Sequence, residues 1–306
     1  MKCKRCRARA AVALPSHHTG FCEACFLEFV ERQVEKAIHS QGLFSHADRI
    51  LLALSGGKDS LAMAHLLRRL GYSVHGVHLD LGIPDSSAPA RRAVERFCAA
   101  HHIALDVVQL ADEGLAIPLV KECVNRPICS ACGTIKRQLF NREAVHGGFT
   151  VLATGHNLDD ETSRLFANVI RWDAAQLADQ GPMLPAGNGF VKKVKPMWRL
   201  SEFETAAYCF LVGIDYHMGA CPFSRGASFT GHKSLLAGLE ETSPGQKLQF
   251  YLGFLESGRQ AFRQVQAASP CAIIPCTQCG HPTNAEYCSV CRMREAIARH
   301  AASVDA

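Results

Sequence analysis

The stretch that decides the fold is "RILLALSGGKDS", which runs from Arg49 to Ser60. Its first half is a short apolar run of the kind that forms a buried parallel strand. Its second half is polar and rich in glycine, and a helical pattern follows to about Leu70. Gly56 and Gly57 let backbone N–H groups turn toward an anion, and the helix N-terminus adds its dipole. The stretch therefore predicts a strand, a phosphate-binding loop and a helix.

Strands and helices continue to alternate after this loop. The next three strands are expected in "YSVHGVHLDL", "IALDVVQL" and "TVLATG", and helices at Ala90–Ala100, Ile135–Val145 and Asp159–Ile170. This alternation predicts an α/β fold with a parallel sheet that helices cover on both faces. The polar segments "SGGKDS", "HLDLG" and "GHNLDDE" follow the first, second and fourth strands. Because such sheets bind ligands at the carboxyl ends of their strands, the three segments are expected to meet in one site.

The chain is expected to have three parts. These are an N-terminal metal module at 1–30, a phosphate-loop domain at 31–270 and a C-terminal metal module at 271–306. Asp173 to Gly189 is rich in glycine and proline and predicts irregular structure. Further helices are expected at Phe26–His39, Ser201–Val212, a long region that ends near Ala268, and Arg292–Ala302.

Both ends carry two Cys-x-x-Cys pairs, separated by fifteen residues in the first module and by eight in the second. Four thiolates complete a tetrahedral zinc site, which short segments need because they cannot build a core of their own. The alternative is a pair of redox dithiols. The expected zinc ligands are Cys3, Cys6, Cys22 and Cys25 at one end and Cys276, Cys279, Cys288 and Cys291 at the other. Closed sites of this type are structural and can position a partner.

Composition limits the compartment and the partners. The chain has 15 cysteines, yet its N-terminus lacks a secretory signal, so paired cysteines favour metal ligands over disulfides. No apolar run reaches the length of a membrane span, and a cytoplasmic protein with no membrane partner is expected. The net charge of +5 permits a nucleic-acid partner, although a solvated surface explains the charge equally well.

The loop "LSGGKDS" lacks the glycine spacing of a Walker A motif and resembles the PP-loop of the ATP pyrophosphatase superfamily. That resemblance implies cleavage of ATP between its α and β phosphates and adenylation of a carbonyl oxygen, which a nucleophile then displaces. Asp59 is expected to help bind Mg²⁺ or to orient the pyrophosphate, and His156 and Asn157 are expected either to cap a helix or to act in catalysis. The expected nucleotide-binding residues are Ala53, Leu54, Ser55, Gly56, Gly57, Lys58, Asp59, Ser60, Leu79, Gly155 and Asp160.

A third set of cysteines lies inside the domain. Cys129 and Cys132 form a lone Cys-x-x-Cys pair before a predicted helix, whose dipole is expected to lower the thiol pKa. Cys221 lies in "GACPF", where glycine and proline interrupt regular structure. The other cysteines belong to no motif, and two of them lie in helical patterns that favour burial; these are Cys98, Cys123, Cys209 and Cys271.

The order of all these motifs along nearly the whole chain resembles that of the TtuA-type tRNA 2-thiouridine synthetases, which share a core with the shorter TtcA-type enzymes. The resemblance implies a [4Fe-4S] cluster on Cys129, Cys132 and Cys221 with one iron open. It also implies a homodimer, ATP with Mg²⁺, and adenylation of O2 of a tRNA uridine. The T-loop is the expected position of this uridine. A ubiquitin-like carrier with a C-terminal thiocarboxylate would supply the sulfide. The implied catalytic residues are Cys129, Cys221, Lys136, Asp160 and Asp59.

Several alternatives stay open from the residues alone. The core cysteines are also compatible with a zinc site completed by Cys123 or a histidine, or with a persulfide mechanism on Cys129 and Cys221. The sulfur donor can equally be free sulfide or a desulfurase persulfide. The rival functions are thiolation of another tRNA position, thiolation of a free nucleobase or small metabolite, and non-catalytic nucleic-acid binding through zinc.

Overall fold

The computed structural model describes residues 1–219, 221–224, 228–268 and 272–304. Ala220, within the predicted "GACPF" segment, and Cys271 lie outside the described residues. No helix in the described ranges is long and apolar enough to cross a membrane.

The N-terminal module is a hairpin followed by a helix. Strands β1 (Val12–Leu14) and β2 (Thr19–Phe21) pair antiparallel, and α1 covers Glu23–Gln41. The α1 residues Phe26, Val30 and Val34 recur every fourth position and are buried, as one face of a helix requires. This face packs into the core of the following domain, so the module is part of the main body.

The predicted strands and helices of the central domain are present. Their bounds are β3 (Ile50–Ala53), α2 (Lys58–Arg69), β4 (Val74–Asp80), α3 (Ser87–Ala100), β5 (Leu105–Gln109), α4 (Ile117–Cys123), α5 (Ile128–His146), β6 (Val151–Thr154), α6 (Leu158–Ile170), α7 (Ala174–Asp179), β7 (Met183–Leu184), β8 (Lys192–Val194) and α8 (Glu202–Val212). The sheet order is β5-β4-β3-β6-β8-β7, with every pair parallel except β7 and β8. The α/β parallel-sheet prediction is confirmed.

Two sequence predictions about regular structure are wrong. The segment Asp173–Gly189 contains α7 and β7, which are too short to show a period in the sequence. The long helical region is not continuous: it divides into α9 (Ser228–Thr242), α10 (Gln246–Gly253), a π-helical turn (Phe254–Gly258) and α11 (Arg259–Ala268). Gly245, with φ of 92°, turns the chain between α9 and α10, because the left-handed region is open to glycine.

Alternate residues of β3 point to opposite faces of the sheet. Ile50 and Leu52 join the apolar core that includes α1, α2 and α8, while Leu51 and Ala53 join the core on the other face. That second core includes α5 and the C-terminal module, which consists of β9 (Ile274–Pro275), β10 (Pro282–Thr283) and α12 (Ser289–Val304).

The topology places a crevice at the end of β3. The chain passes from β3 to β4 on one side and returns through β6 on the other, so β3 lies at the switch point of the sheet. Ligands of open α/β sheets bind at this position. The loop after β3 and the loop after β6 both open into this crevice.

Candidate functional site

The phosphate loop is closed by its own side chains. Ser60 Oγ accepts from Ser55 N at 3.1 Å and donates to Gly57 O at 3.0 Å. Gly56 has φ of 84°, and a Cβ there would lie 2.6 Å from the carbonyl oxygen of Ala90. Only glycine therefore fits, and α2 begins directly after the loop with its N-terminus toward the crevice.

A closed ring of charged and polar side chains surrounds this loop. Lys58 Nζ donates to Asp59 and to Glu202 Oε1, each at 2.9 Å. Lys233 Nζ donates to Glu202 Oε2 at 3.3 Å and to Asp160 Oδ1 at 2.7 Å.

Asn157 closes the ring between α6 and α2. Its side chain donates to Asp59 Oδ1 at 3.0 Å, and its backbone N–H donates to Asp160 Oδ2 at 3.2 Å. The ring thus ties together the N-termini of α2, α6 and α8 and the middle of α9.

The three acids of "GHNLDDE" have three different surroundings. Asp159 accepts from Lys247 Nζ at 2.6 Å and from the backbone N–H of Glu202 at 2.7 Å. Glu161 is 1% exposed and is held by Lys195 at 2.7 Å and by the Tyr251 hydroxyl at 2.7 Å. Asp160 is the acid that belongs to the ring, while the other two fix neighbouring elements.

Of the two residues before these acids, Asn157 caps α6 and His156 does not. Asn157 accepts from Asp160 N at 3.1 Å and forms a capping box with it. His156 Nδ1 lies 2.8 Å from Thr154 Oγ1. Burial, together with the charges of Lys195 and Lys193, lowers the pKa of His156 to about 3 and keeps its imidazole neutral.

Gly155 is where the loop after β6 meets the phosphate loop. A Cβ at this position would lie 2.9 Å from the backbone of Asp59 and from Ser60 Cα. Backbone atoms cannot move aside as a flexible side chain can, so glycine permits this close approach.

The remaining predicted nucleotide-binding residues, Ala53, Leu54 and Leu79, are buried at the ends of β3 and β4. Leu54 O lies 2.8 Å from His78 Nδ1, which joins the two strand ends.

The structure brings the three core cysteines together. Cys129 and Cys132 lie in the first turns of α5, and Cys129 Sγ donates to Phe223 O at 3.6 Å. Phe223 is two residues beyond Cys221, so the "CPF" segment packs against the start of α5. The thiols of Cys129 and Cys221 are both near enough to Cys132 for their charges to contribute to the raised pKa of Cys132.

The expectation that the helix dipole lowers the thiol pKa is wrong for Cys132. Burial raises its pKa, and the neighbouring ammonium of Lys136 offsets this only in part. The predicted boundary also differs, because α5 begins at Ile128 and so includes both cysteines. Lys136 thus lies beside the cysteine set, one turn along the same helix.

The cysteine set lies near the phosphate loop. The backbone N–H of His217 donates to Gly56 O at 2.9 Å, and Cys221 follows four residues later. Four extended residues span at most about 14 Å. The core cysteines are therefore within one short segment of the nucleotide crevice.

The terminal cysteines form two compact sets of four. In each set the sulfur atoms all lie within 4.8 Å of one another. The distances are 3.5 Å for Cys6 to Cys22, 3.8 Å for Cys276 to Cys291 and 3.7 Å for Cys279 to Cys288. Tetrahedral zinc with bonds of about 2.3 Å needs sulfurs roughly 3.8 Å apart, so the spacing fits one ion per set.

In each set, backbone N–H groups lower the pKa of one cysteine and so favour its thiolate form. Donation by Cys6 N lowers the pKa of Cys3 to about 6 against the opposing effect of burial. In the second set burial opposes ionisation, but N–H groups that include Cys288 N, at 3.2 Å, lower the pKa of Cys276 to about 6. Thiolates are the form that binds zinc.

The core set has a different spacing. Among the described residues, Cys129, Cys132 and Cys221 are not a set whose sulfurs all lie within 4.8 Å. A single tetrahedral ion would require the closer spacing, whereas an iron–sulfur cluster gives each thiolate its own iron and holds the ligands farther apart. The donor type fits a cluster.

Sequence reasoning missed Glu202 and Lys233. Both lie on helices whose charged positions read as solvent-facing, and neither belongs to a motif. One sequence feature could have pointed to Glu202. Ser201 and Glu204 have the pattern of a capping box, which starts α8 and directs Glu202 toward the phosphate loop.

Comparison with known sequence families gives two matches. The PP-loop domain profile matches residues 26–217. The N-terminal LIM domain of 2-thiouridine synthetase TtuA matches residues 2–27.

Individual relatives match over almost the full chain. The tRNA-5-methyluridine(54) 2-sulfurtransferase of Thermus thermophilus is 38% identical over 98% of this chain and 93% of its own length. The cytoplasmic tRNA 2-thiolation protein 1 of Bos taurus is 30% identical over 97% of this chain and 88% of its own. Among solved structures, the U34-tRNA thiolase NcsA from Methanococcus maripaludis with its [4Fe-4S] cluster is similar with a TM-score of 0.79, 26% identity and 96% coverage of both chains.

Proposed function

This chain belongs to the TtuA family of PP-loop 2-thiouridine synthetases, and on that premise we propose that it is an ATP-dependent tRNA 2-sulfurtransferase. The observation that carries the proposal is the contact of the "CPF" segment with the start of α5, four residues beyond the point where the chain hydrogen-bonds to the phosphate loop. Adenylation requires the crevice, and sulfur insertion requires a sulfur-binding group beside it.

The proposed reaction has two steps. In the first, O2 of the uracil bonds to the α-phosphorus of ATP, pyrophosphate leaves, and the N3 proton is lost. In the second, hydrosulfide from a donor adds to C2, AMP leaves with the electron pair of the C2–O bond, and a proton returns to N3. Lys58 and the N-terminus of α2 are placed to hold the phosphates, and Asp59 and Asp160 to hold Mg²⁺.

Cys129, Cys132 and Cys221 would hold a [4Fe-4S] cluster, because thiolates are the ligands that such clusters take. With three protein ligands, the group supplies one iron that can bind an exogenous sulfur atom. Lys136, one helical turn beyond Cys132, would compensate the negative charge of the thiolates. The two terminal sets would each hold one structural Zn²⁺.

A cationic cluster supports tRNA as the substrate. Its members are Arg126, Arg137, Arg164 and Lys193, and none of them forms an ion pair within the described part of the chain. Burial and the neighbouring positive charges of Lys195 and Arg137 lower the pKa of Lys193 to about 8. Unpaired cations held together favour an anionic ligand, and arginine matches the geometry of phosphate. Arg126 and Arg137 flank the core cysteines, so a bound RNA backbone would pass beside the site.

We expect the double substitution Arg137→Ala with Arg164→Ala to weaken tRNA binding about 10-fold and to lower the slope of log K against log salt by about 2. Filter binding of a tRNA transcript at several salt concentrations measures both. Arg92→Ala is the matched control, since Arg92 is exposed on α3 and has no ion pair to another described residue. If Arg92→Ala weakens tRNA binding as much as the double variant, or if the double variant keeps the wild-type salt slope, a phosphate contact is contradicted.

We propose 5-methyluridine at position 54 of the T-loop as the modified nucleotide. The relatives that carry this activity in their names are 37 to 38% identical, against 26% for the wobble-uridine thiolase structure. Mass spectrometry of tRNA nucleosides and fragments from a deletion strain tests this. Loss of the 2-thio group at position 54 supports the proposal, loss at position 34 moves the activity to the wobble site, and unchanged thionucleosides reject tRNA thiolation.

We propose a ubiquitin-like carrier with a C-terminal thiocarboxylate as the sulfur donor, a homodimer as the assembly and the cytoplasm as the location. The proposed location follows from relatives that are named cytoplasmic tRNA 2-thiolation proteins. Thiolation assays that compare carrier thiocarboxylate with free sulfide test the proposed donor. Light scattering of the purified chain tests the proposed homodimer.

A further inference from the structure

Two lysines from distant parts of the chain bind the same carboxylate beside the phosphate loop. Lys58 donates to Glu202 Oε1 at 2.9 Å and Lys233 to Glu202 Oε2 at 3.3 Å. Lys58 belongs to the phosphate loop, whereas Lys233 lies on α9, which has no sequence motif for nucleotides. The crevice therefore has a second ammonium group at a fixed distance from the first.

Lys233 is charged and partly exposed. Its side chain is 28% exposed, compared with 18% for Lys58. Burial works against its charge, but attraction to Asp160 and Glu202 outweighs burial and raises the pKa of Lys233. An ammonium with this exposure can exchange one anionic partner for another.

We propose that Lys233 is a second phosphate-binding residue, which turns from Asp160 to the pyrophosphate portion of ATP. This inference rests on the proposed adenylation. In that step a bond forms from the substrate oxygen to the α-phosphorus, the bond from the α-phosphorus to the bridging oxygen breaks, and its electron pair stays on pyrophosphate. A second ammonium at this position stabilises the charge that develops there.

The same movement would prepare Asp160. Lys233 occupies Asp160 Oδ1, whereas Asp160 Oδ2 accepts from the backbone of Asn157 in the capping box. When Lys233 moves to the phosphates, Oδ1 becomes available to the Mg²⁺ that accompanies ATP, while the capping bond still fixes the carboxylate.

Lys247 provides the matched comparison. It contacts Asp159, the residue next to Asp160, at 2.6 Å, and its side chain is 10% exposed. Asp159 also accepts from the backbone of Glu202, so this pair fixes α6 against α8 and α10. The two lysines thus hold adjacent acids, one in the ring around the crevice and one in the packed interior.

The test is calorimetric titration of the full chain with inorganic pyrophosphate and, separately, with AMP, each with Mg²⁺. Lys233→Ala is expected to weaken pyrophosphate binding about 10-fold and to leave AMP binding unchanged. Lys233→Arg is expected to recover most of the loss. Lys247→Ala is expected to lower the melting temperature and to leave pyrophosphate binding unchanged.

Unchanged pyrophosphate binding in Lys233→Ala would overturn the proposal, and so would an equal loss of AMP affinity or an equal effect of Lys247→Ala. Circular dichroism of each variant checks that the fold is retained. Because these titrations contain no tRNA, they separate a failure of this inference from a failure of the proposed tRNA activity, which the nucleoside analysis decides.

Discussion

Cys221→Ala is expected to lower the rate of tRNA thiolation by about 100-fold or more, equivalent to about 2.7 kcal/mol in activation free energy. The substitution removes one of the three thiolates that are proposed to hold the cluster, and the remaining two cannot hold it in place. ATP binding is expected to persist, because the phosphate loop and its ring of side chains contain no cysteine. Thiolated nucleoside formed under anaerobic conditions, and ATP affinity measured in parallel, give the two readouts.

Cys123→Ala is the matched control for this substitution. Cys123 ends α4, is half-buried and lies close to α5 in sequence, yet it belongs to no cysteine set of the described residues. We expect this variant to keep wild-type iron content and thiolation activity.

Metal analysis of the same variants separates the three chemistries that the sequence leaves open. Iron lost in Cys221→Ala and kept in Cys123→Ala supports the cluster. Zinc lost in both would indicate a site that Cys123 completes. Full activity of the wild-type chain without iron would indicate a persulfide on Cys129 and Cys221.

The phosphate loop could be predicted from sequence because its chemistry is local. Gly56 needs a left-handed backbone, and Ser60 closes the loop on Ser55 only five residues away. The terminal cysteine sets are local in the same sense. Each ligand pair spans four positions, so the metal geometry is already present in the spacing.

The ring around the loop could not be predicted, because its members are far apart in the chain. Lys58 and Glu202 are separated by 144 positions, and Lys233 lies on a third helix. A charged residue on an amphipathic helix usually faces solvent. Only the packing of α8 against α2 and of α9 against α6 turns these two side chains toward the phosphate loop.

The resemblance linked Cys221 to the lone Cys-x-x-Cys pair, but it did not show how the segment reaches α5. The backbone bond from His217 to Gly56 supplies that connection. It brings the chain along the phosphate loop just before Cys221, so the nucleotide crevice and the cysteine set share one segment.

Cys291→Ala is expected to lower the melting temperature by about 10 °C, because it opens the C-terminal zinc site. Structural zinc contributes folding free energy directly, and a loss of several kcal/mol corresponds to a shift of roughly this size in a domain of this length. Differential scanning fluorimetry with and without a chelator measures it. In the structure Cys276, Cys288 and Cys291 are buried in the same apolar core as α5.

The same substitution is expected to reduce iron content and thiolation, because the C-terminal module is bound directly to the helix that carries Cys129 and Cys132. Gln138 on α5 donates to Cys279 Sγ at 3.6 Å, and its Oε1 lies 3.4 Å from Cys288 Sγ. Arg294 on α12 binds Glu113, which also pairs with Arg142 of α5.

Cys25→Ala is the control that distinguishes this coupling from general loss of stability. It opens the N-terminal set, which packs with α1 on the opposite face of the sheet from α5. We expect it to lower the melting temperature by a similar amount while iron content is kept. If both variants lose iron equally, the cluster depends on overall stability; if neither does, the zinc modules are independent of the catalytic site. Loss of iron in Cys291→Ala alone would show that the C-terminal zinc holds α5, and with it two ligands of the cluster, in the geometry that sulfur transfer requires.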